Sequence, residues 1–464
     1  MRTPIFFLFA LLSLGVFAQS ADTSKVILSE EDFIQIVLAN HPVALQADMQ
    51  IKVGEAAMLE ARGGFDPIIE SSLKNKRFEG DPYYLLNTNG IKIPIWPAME
   101  VYAGYDYTSG TQLNPQNSLP DPGQSVFGLS IDLGKGLLFD ERRYDWKQAN
   151  LGIEMSEIER QRLLLQLERD ARVAYWEWFS AWHSYELNKT AVTVTSQRFD
   201  AIKSSFENGS IPAIDTVEAE LQVLIRETEM QKAQSNLVKA RFQLSNFIWA
   251  DYQTPAVLDT TVRPEELPNQ LVLPGSVDST SIISNSMLPF HPEILSYDLK
   301  LQGLGLDKRL NKESFRPEIQ LKYQVVGNGF AYESVPFNSD YKLGVDFKFP
   351  LFVRGGRGKV QQIELKELET STQREVKLFD LRNKLISIGE MAKLNFEQFQ
   401  SFSSAINNYE TLLNGEQRRF FLGNSSIFLI NSREQRLLEA QVKVIEIQAI
   451  HFILLAELDY LIAQ

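Results

Sequence analysis

Few side chains of this sequence belong to the types that carry nucleophilic or metal chemistry. The 464 residues include four histidines and no cysteine. Without cysteine, the chain has no thiolate nucleophile, no disulfide and no cysteine–zinc site. His41 and His291 each stand directly before a proline, and this shared context indicates a structural role rather than a metal site. No spacing supports a Ser/His/Asp arrangement, so we expect no enzyme, no metal site and no cofactor.

The remaining candidate functional residues surround two glycine turns, at Gly209 and Gly423. Asp215 and Glu218 follow the first glycine by six and nine positions. Around the second glycine lie three arginines that could form salt bridges, Arg418, Arg419 and Arg433. The positions six and nine residues after this glycine hold the uncharged Leu429 and Ser432. The helix dipole alone favours carboxylates in the first turns of a helix, and exposed salt bridges are individually weak. An ordinary stabilising role therefore stays open for each charged residue.

The glycine turns belong to a pattern that occurs twice. His41-Pro42 recurs as His291-Pro292, shifted by 250 positions, and Arg143–Gly209 recurs as Arg357–Gly423, shifted by 214 positions. The smaller second shift places about 36 extra residues in the first copy, ahead of Ile131. The equal span from arginine to glycine indicates long elements that reach equally far in both copies. The pattern therefore predicts an internally duplicated structure.

The start of the chain has the features of a secretory signal over residues 1–18. Arg2 supplies the positive charge, Ile5–Phe17 supplies the apolar stretch, and Ala18 fits the small residue at a cleavage site. The alternative is a buried N-terminal helix. Beyond residue 18, no apolar run approaches the length of about 20 residues that a transmembrane helix needs. The net charge of −13 argues against a nucleic-acid partner, because such a partner requires a basic face.

Alternating strands follow the first helix of each copy. In Glu318–Val325 and Asp340–Phe349, apolar residues at odd positions alternate with polar or charged residues. These runs predict a sheet with one apolar and one water-exposed face, of about the length that crosses a bilayer. The first copy has weaker runs at 69–78, 100–107 and 126–133, and we interpret its extra residues as one hairpin plus loops. The aromatic residues expected at the membrane interface, or alternatively in a β-sandwich core, are Tyr102, Tyr105, Tyr107, Phe127, Tyr323, Tyr341, Phe347 and Phe349.

A long helix precedes each glycine turn. Tyr144–Glu207 and Lys359–Leu422 contain no proline, and apolar residues spaced by three and four positions in the second run have the coiled-coil period. Each helix would extend about 95 Å at 1.5 Å per residue. Return helices over 212–250 and from 427 to the end of the sequence complete two hairpins. Hairpins of this length exceed the size of one compact globule.

The expected organisation is a signal peptide at 1–18, a first repeat at 19–250, a linker at 251–278 and a second repeat at 279–464. Four main strands per chain cannot close a barrel, because the smallest bacterial barrels need about eight. The helical hairpins likewise bury their apolar stripes only against other hairpins. Both needs are met if several copies surround one axis. The predicted fold class is thus an α+β membrane protein with strands in the outer membrane, a helical tube below them and water inside.

The order of helix, strand pair, long helix, glycine turn and return helix resembles the TolC family of outer-membrane efflux proteins. The resemblance covers nearly the whole mature chain. It is carried by Asn40-His41-Pro42, by the strand exit Pro350–Arg357, and by the tips Phe206–Gly209 and Phe420–Gly423. In the first copy the strand exit, Gly134–Arg143, departs from the family pattern. The order and equal spacing of these motifs are more specific than any single motif.

The resemblance implies a homotrimer in the outer membrane of a Gram-negative bacterium, with its helices in the periplasm. Such a trimer would form a barrel of about twelve strands in contact with outer-membrane lipid, and a tunnel of about twelve helices. It would be a passive exit duct that works with a periplasmic adaptor and an inner-membrane pump, in tripartite efflux or type I secretion. Its cargo would be small molecules or polypeptides.

The resemblance also concerns the gate. In the family, acidic residues six and nine positions beyond the second glycine form constricting rings. Here those positions hold Leu429 and Ser432, while the acidic pair Asp215 and Glu218 stands in the first copy. This departure puts a cation-binding constriction in doubt.

Two other classes of protein stay open. A periplasmic adaptor also combines a long helical hairpin with β structure, but it normally has one hairpin with β domains on both sides. A structural or adhesive envelope protein with coiled-coil stalks would have long helices and no channel. A further open point is whether the insertion in the first copy lies in the barrel or in extracellular loops.

Overall fold

The computed structural model describes residues 26–95, 98–268, 270–273, 286–329 and 340–462. The predicted signal peptide and the first residues of the second repeat lie outside the described residues. The chain divides into two compact units, each built from segments of both sequence repeats. We call the one that contains both glycine turns the turn unit: Met1–Asn40, Ala171–Leu271 and Glu397–Ile453. We call the other the sheet unit: His41–Asp170, Val272–Phe396 and Leu454–Gln464.

Helices make up most of the described chain. They are α1 (Glu30–Asn40), α2 (Pro42–Gly63), α3 (Glu141–Glu207), α4 (Ala213–Ser245), α5 (Pro292–Glu313), α6 (Arg354–Phe421) and α7 (Ile427–Ile462). The duplication appears in their lengths, because α2 and α5 each have 22 residues while α3 and α6 have 67 and 68. Within the described ranges, none of these helices is apolar over enough residues to traverse a membrane.

The repeated His-Pro pairs mark helix starts. Pro42 and Pro292 occupy the first position of α2 and α5, where a missing N–H costs nothing. The Nδ1 atom of His41 accepts a hydrogen bond from the Val43 N–H (3.2 Å), and Nδ1 of His291 accepts one from the Glu293 N–H (3.2 Å). Each histidine therefore caps its helix, and the predicted structural role of both is confirmed.

The strands are β1 (Ile27–Leu28), β2 (Ile68–Phe78), β3 (Asp81–Ile95), β4 (Met99–Ser109), β5 (Gln124–Asp132), β6 (Arg263–Pro264), β7 (Glu318–Asn328) and β8 (Tyr341–Lys348). Six of them form one antiparallel sheet in the order β2-β3-β4-β5-β7-β8. In the turn unit, β1 pairs in parallel with β6, so the predicted linker contributes a short strand.

The expectation of four main strands per chain needs correction, because the sheet has six. The extra residues of the first copy form β3 and β4, which lie between β2 and β5 as full members of the sheet. In β3, Asn87, Asn89 and Gly90 interrupt the alternation of apolar and polar residues. This interruption is the reason that the strand gave no clear signal in the sequence.

Each unit has its own apolar core. In the sheet unit, α5, α6 and α7 pack through one cluster, and the coiled-coil positions Leu381 and Leu385 of α6 are fully buried in it. In the turn unit, Tyr175, Trp178 and Phe179 of α3 are fully buried. The ring of Trp176 stacks on Phe452 of α7 with 4.0 Å between ring centroids. Long apolar stripes on the helices therefore produce the packing in both units.

Candidate functional site

The six-stranded sheet has two chemically opposite faces. Along every strand pair, even-numbered residues are in register with even-numbered residues, apart from the bulge in β2 after Lys76. Successive side chains of a strand point to opposite faces. One face of the whole sheet therefore carries the odd positions and the other carries the even positions.

The odd face is mostly apolar, apart from a few serines and asparagines such as Asn87 and Asn89 of β3, and most of its side chains are at least partly exposed in the single chain. At the two edges, Ile69 of β2 is 80 % exposed and Val345 of β8 is 63 % exposed. Leaving out the residues of the β2–β3 pair beyond the bulge, no odd position that is paired in the described sheet holds Asp, Glu, Lys or Arg. Isolated apolar side chains are common on protein surfaces, but a continuous apolar face across a sheet is not. This face requires an apolar environment that the described chain does not supply.

All charged residues at these paired positions lie on the even face. Six are acidic and six are basic: Glu70, Glu100, Asp106, Asp132, Glu318 and Asp346, and Lys74, Lys76, Lys92, Lys322, Lys342 and Lys348. Several pair across neighbouring strands, with N···O distances of 2.7 Å for Lys92–Glu70 and 3.5 Å for Lys322–Asp346. A cavity of about 850 Å³ opens beside charged residues of this face. The even face is therefore suited to contact with water.

The predicted interface aromatics divide between the two faces. Tyr105, Tyr107, Phe127, Tyr323, Tyr341 and Phe347 stand at odd positions on the apolar face, and Phe349 follows the end of β8. Tyr102 stands at an even position, on the charged face, and its place at the membrane interface stays a prediction. Its ring lies against Gly90 and Gly104, where any side chain would collide with it. The two glycines leave the space that this ring fills, and a contact with lipid stays a prediction for the others.

Both glycine turns have the same backbone geometry. Gly209 has a φ of +71° and Gly423 a φ of +73°, in the left-handed region that favours glycine. The Gly209 N–H donates to the Phe206 carbonyl (2.8 Å), and the Gly423 N–H donates to the Phe420 carbonyl (2.9 Å). The turns thus end α3 and α6 in the same way, as the equal spacing in the sequence predicted.

The acidic pair of the first copy lies at the start of α4. Asp215 is in the first turn of this helix, Glu218 lies in the next turn, and both are half-buried. Neither carboxylate forms an ion pair with a described residue. Leu429, at the matching position of α7, is exposed, and Ser432 is half-buried. The geometry fits the helix-dipole interpretation of Asp215, and a gating role for these positions stays a prediction.

The arginines near the second turn behave differently from one another. Arg419 and Arg433 both lie near Glu416, with N···O distances of 3.6 and 3.9 Å. The Ser425 hydroxyl also donates to this carboxylate at 2.6 Å. Glu416 is only 6 % exposed, and these partners satisfy its carboxylate oxygens. Arg418 is exposed and forms no ion pair among the described residues.

Glu416 was missed at the sequence level because it is one of many carboxylates along α6. The one local signal was Arg419, three residues later on the same helix face. The contacts from Ser425 and Arg433 come from beyond the turn and depend on how the hairpin closes. Contacts between residues on the two sides of a turn cannot be predicted from the sequence pattern of one helix.

Two further arginines, also missed, connect helices of the turn unit. Arg198 of α3 donates to both carboxylate oxygens of Glu434 on α7, at 2.7 and 2.6 Å. Arg226 of α4 is fully buried and donates to Glu229 (2.9 Å) and to Gln435 of α7 (2.5 Å). These bonds join the first hairpin to the second.

Large apolar residues are exposed at the turns. Phe421 and Leu422 before the second turn are 87 % and 75 % exposed, and Ile214 after the first is 68 % exposed. Beside them, Ile202, Ala219 and Ile427 form a small buried cluster between the hairpins. The packing thus leaves part of the apolar surface at the turns free for contact with another molecule.

A buried polar cluster connects α5, α6 and α7 in the sheet unit. Because His291 Nδ1 accepts the cap hydrogen bond, Nε2 carries the proton and donates to the Tyr460 carbonyl (3.3 Å). Burial lowers the pKa of His291, so its imidazole is neutral. Glu293 accepts from the Tyr460 hydroxyl (2.8 Å) and pairs with Lys377 (2.5 Å). Within the part of the chain that the structure describes, no group of His, Asp and Glu residues could hold a metal ion.

No protein-family model and no curated protein matches this chain. Its structure, however, is similar to solved outer-membrane channels. The Campylobacter jejuni CmeC outer membrane channel is 14 % identical, with a TM-score of 0.65, over 93 % of this chain and 85 % of that one. The Vibrio cholerae outer membrane protein VceC is 15 % identical, with a TM-score of 0.66, over 93 % and 95 %. The Neisseria gonorrhoeae MtrE outer membrane channel, in its open state, is 14 % identical, with a TM-score of 0.64, over 96 % and 93 %.

The fold is therefore that of the outer-membrane channels. The resemblance to the TolC family that the sequence motifs indicated is confirmed for the fold, over nearly the whole length of both chains. Because the identities are low, the likeness concerns the fold alone.

Proposed function

We propose that this protein is a passive exit duct in the outer membrane of a Gram-negative bacterium. The observation that carries the proposal is the division of the six-stranded sheet into an uncharged odd face and a charged even face. An outer-membrane barrel needs an apolar outside and a polar inside. The likeness to CmeC, VceC and MtrE, which are named as outer membrane proteins, supports the same location.

We infer a homotrimer as the working form, from the resemblance to the TolC family. A single copy leaves the apolar face of the sheet, and apolar residues on its helices, exposed to water. Contact with lipid and with other copies would remove these surfaces from water. At about 25 cal/mol per Å² of apolar surface, such burial is a large driving force for assembly.

The turns are the proposed site of contact with a periplasmic adaptor, which would connect the duct to an inner-membrane pump. Exposed Phe421, Leu422 and Ile214 offer an apolar surface there, beside the charged Arg418. The duct itself would do no chemistry, and energy would come from the pump. Tripartite efflux of small molecules and type I secretion of polypeptides both fit this arrangement.

The test is extraction and reconstitution of the protein. We expect it to require detergent, to migrate as a heat-modifiable trimer in gel electrophoresis, and to conduct ions in planar lipid bilayers. A stalk or an adaptor would conduct nothing. Recovery of a stable monomer from the aqueous fraction without detergent would contradict the proposal.

A further inference from the structure

The six-stranded sheet ends in two strands that lack an outer neighbour, β2 and β8. Among the described strands, neither edge has a partner on its free side. Both edge strands also belong to the apolar odd face, through Ile69 and Leu73 on β2 and Leu343 and Val345 on β8. In a bilayer, no water is present to bond the free N–H and C=O groups of an edge. Both edges must therefore be paired when the sheet is in a membrane.

A second copy of this chain fits both edges. Six strands is an even number, so β8 runs antiparallel to β2 and can pair with β2 of the next copy in the same antiparallel sense as every other pair. The strands have compatible lengths of 11 and 8 residues. If odd positions are matched with odd positions, the apolar face also continues from copy to copy without interruption.

The hairpin β3–β4 has the chemistry of a barrel wall and not of a surface loop. Ile91 and Ile93 of β3 continue the apolar face, while Lys92 between them joins the charged face through Glu70 of β2. The pairing of β3 and β4 covers eleven consecutive residues on each strand. A loop outside the membrane would have no need for this alternation.

We propose that each copy contributes all six strands to the barrel, so that the trimer has eighteen strands in its wall (three copies of six). The count of three rests on the proposed function, whereas the pairing of β8 with β2 rests on the sheet itself. Barrel diameter rises roughly linearly with strand number, so the lumen would have about twice the cross-section of a twelve-stranded barrel. Barrels of about 16–18 strands leave an open aqueous channel. Any constriction of this duct would then lie outside the sheet.

Cysteine cross-linking tests the edge pairing directly, because the chain contains no cysteine of its own. Ser71→Cys on β2 is combined in turn with Leu343→Cys, Val345→Cys or Phe347→Cys on β8, which are all odd positions. We expect oxidation to join neighbouring copies in at least one of these variants, with products that stop at three chains. Gly344→Cys and Asp346→Cys are the matched controls on the even face, and they should not cross-link.

Single-cysteine labelling tests the position of the hairpin. In protein reconstituted into lipid vesicles, Lys92→Cys should react with a charged maleimide added in water. Ile91→Cys, one residue away, should react at least tenfold more slowly with that reagent and readily with a lipid-soluble maleimide. Equal reaction of both variants with the charged reagent would place β3 outside the wall and overturn the inference.

The outcomes separate the inference from the proposed function. A protein that forms conducting trimers but gives no odd-face cross-link, or gives even-face cross-links equally well, retains its function and refutes the eighteen-stranded wall. A protein that never enters the membrane refutes the proposed function itself. Cross-linked rings of a number other than three would leave six strands per copy and correct only the number of copies.

Discussion

At the scale of single residues, position along a strand decides which environment a side chain meets. Val345 of β8 is on the odd face and Gly344, its neighbour, is on the even face. If the odd face contacts lipid, Val345→Lys would bring a charge into the hydrocarbon. Lysine on the lipid face costs about 2–4 kcal/mol near the bilayer midplane. We expect Val345→Lys to reduce the assembled trimer in the outer-membrane fraction severalfold, as measured by gel electrophoresis without heating.

The matched control adds the same charge on the other face. Gln320 of β7 is on the even face and is paired with Asp132 of β5 and Asp346 of β8, so a lysine there would face two carboxylates. Gln320→Lys should therefore assemble nearly as well as the unchanged protein. Equal loss in both variants would mean that the odd face does not contact lipid.

The glycine of the second turn gives another prediction for a single residue. Gly423 has space for a side chain, since no atom lies within 4 Å of an added Cβ, but its positive φ disfavours any other residue. Gly423→Leu would cost about 1–2 kcal/mol in this conformation and would reshape the turn. We expect export to fall, measured as greater susceptibility of the native host to toxic small molecules or as loss of a secreted polypeptide. Trimer in the outer membrane should be unchanged.

Gly415 serves as the control for this experiment. It lies in α6 with open space around it and without a positive φ. Gly415→Leu should leave export intact, because leucine is a good helix former. Gly209→Leu should act like Gly423→Leu, since both turns have the same geometry. Normal export in both turn variants would count against adaptor docking at the turns.

At the scale of elements, two proline-free runs, the coiled-coil period of the second run and the repeated glycines were enough to predict both long helices and their turns. The observed bounds, Glu141–Glu207 and Arg354–Phe421, begin three to five residues earlier than predicted. A hairpin was predicted for the extra residues of the first copy, but the bounds of β3 were not, because its asparagines and Gly90 conceal the alternation until β2 and β4 are seen beside it. The side of the sheet on which Tyr102 lies became known from the register of β4, and register depends on the neighbouring strands and not on composition. Local periodicity thus predicts elements, and pairing between elements decides the site.

The contact between α3 and α7 gives a prediction at this scale. Arg198 and Glu434 form two hydrogen bonds and are both mostly buried. Arg198→Ala would leave the carboxylate without its partner, at a cost of about 1–3 kcal/mol. If this contact holds the hairpins in a closed arrangement, the variant should show a severalfold higher resting conductance in planar bilayers.

Two controls accompany this measurement. Arg160→Ala removes an arginine of the sheet unit whose partners, Asp48 and Glu157, are both well exposed, so it should leave conductance unchanged. In the double variant with Glu434→Ala, the second substitution should add little, because the two residues act through one interaction. Additive effects of the two substitutions, or an unchanged resting current, would contradict the hypothesis that this contact holds the hairpins in a closed arrangement.

At the scale of the whole molecule, both sequence repeats contribute segments to both compact units. The helices carry apolar surface that bears on the proposed trimer. On α6, Leu381 and Leu385 are buried within the chain, whereas Leu368, Val376 and Phe379 lie exposed along another side of the helix. A helix with a second exposed apolar stripe needs a second partner. Other copies of the chain are the partner that the proposed trimer supplies.

This requirement leads to a prediction about assembly. Phe379 is 64 % exposed in the single chain, and a trimer that buries it would be weakened by a charge at this position. Phe379→Glu should therefore lower the midpoint temperature of trimer dissociation in detergent, measured by gel electrophoresis after stepwise heating. Gln373→Glu introduces the same charge at an exposed position outside the stripe and should change the midpoint little. Equal midpoints for the two variants would show that this stripe of α6 is not covered by another copy.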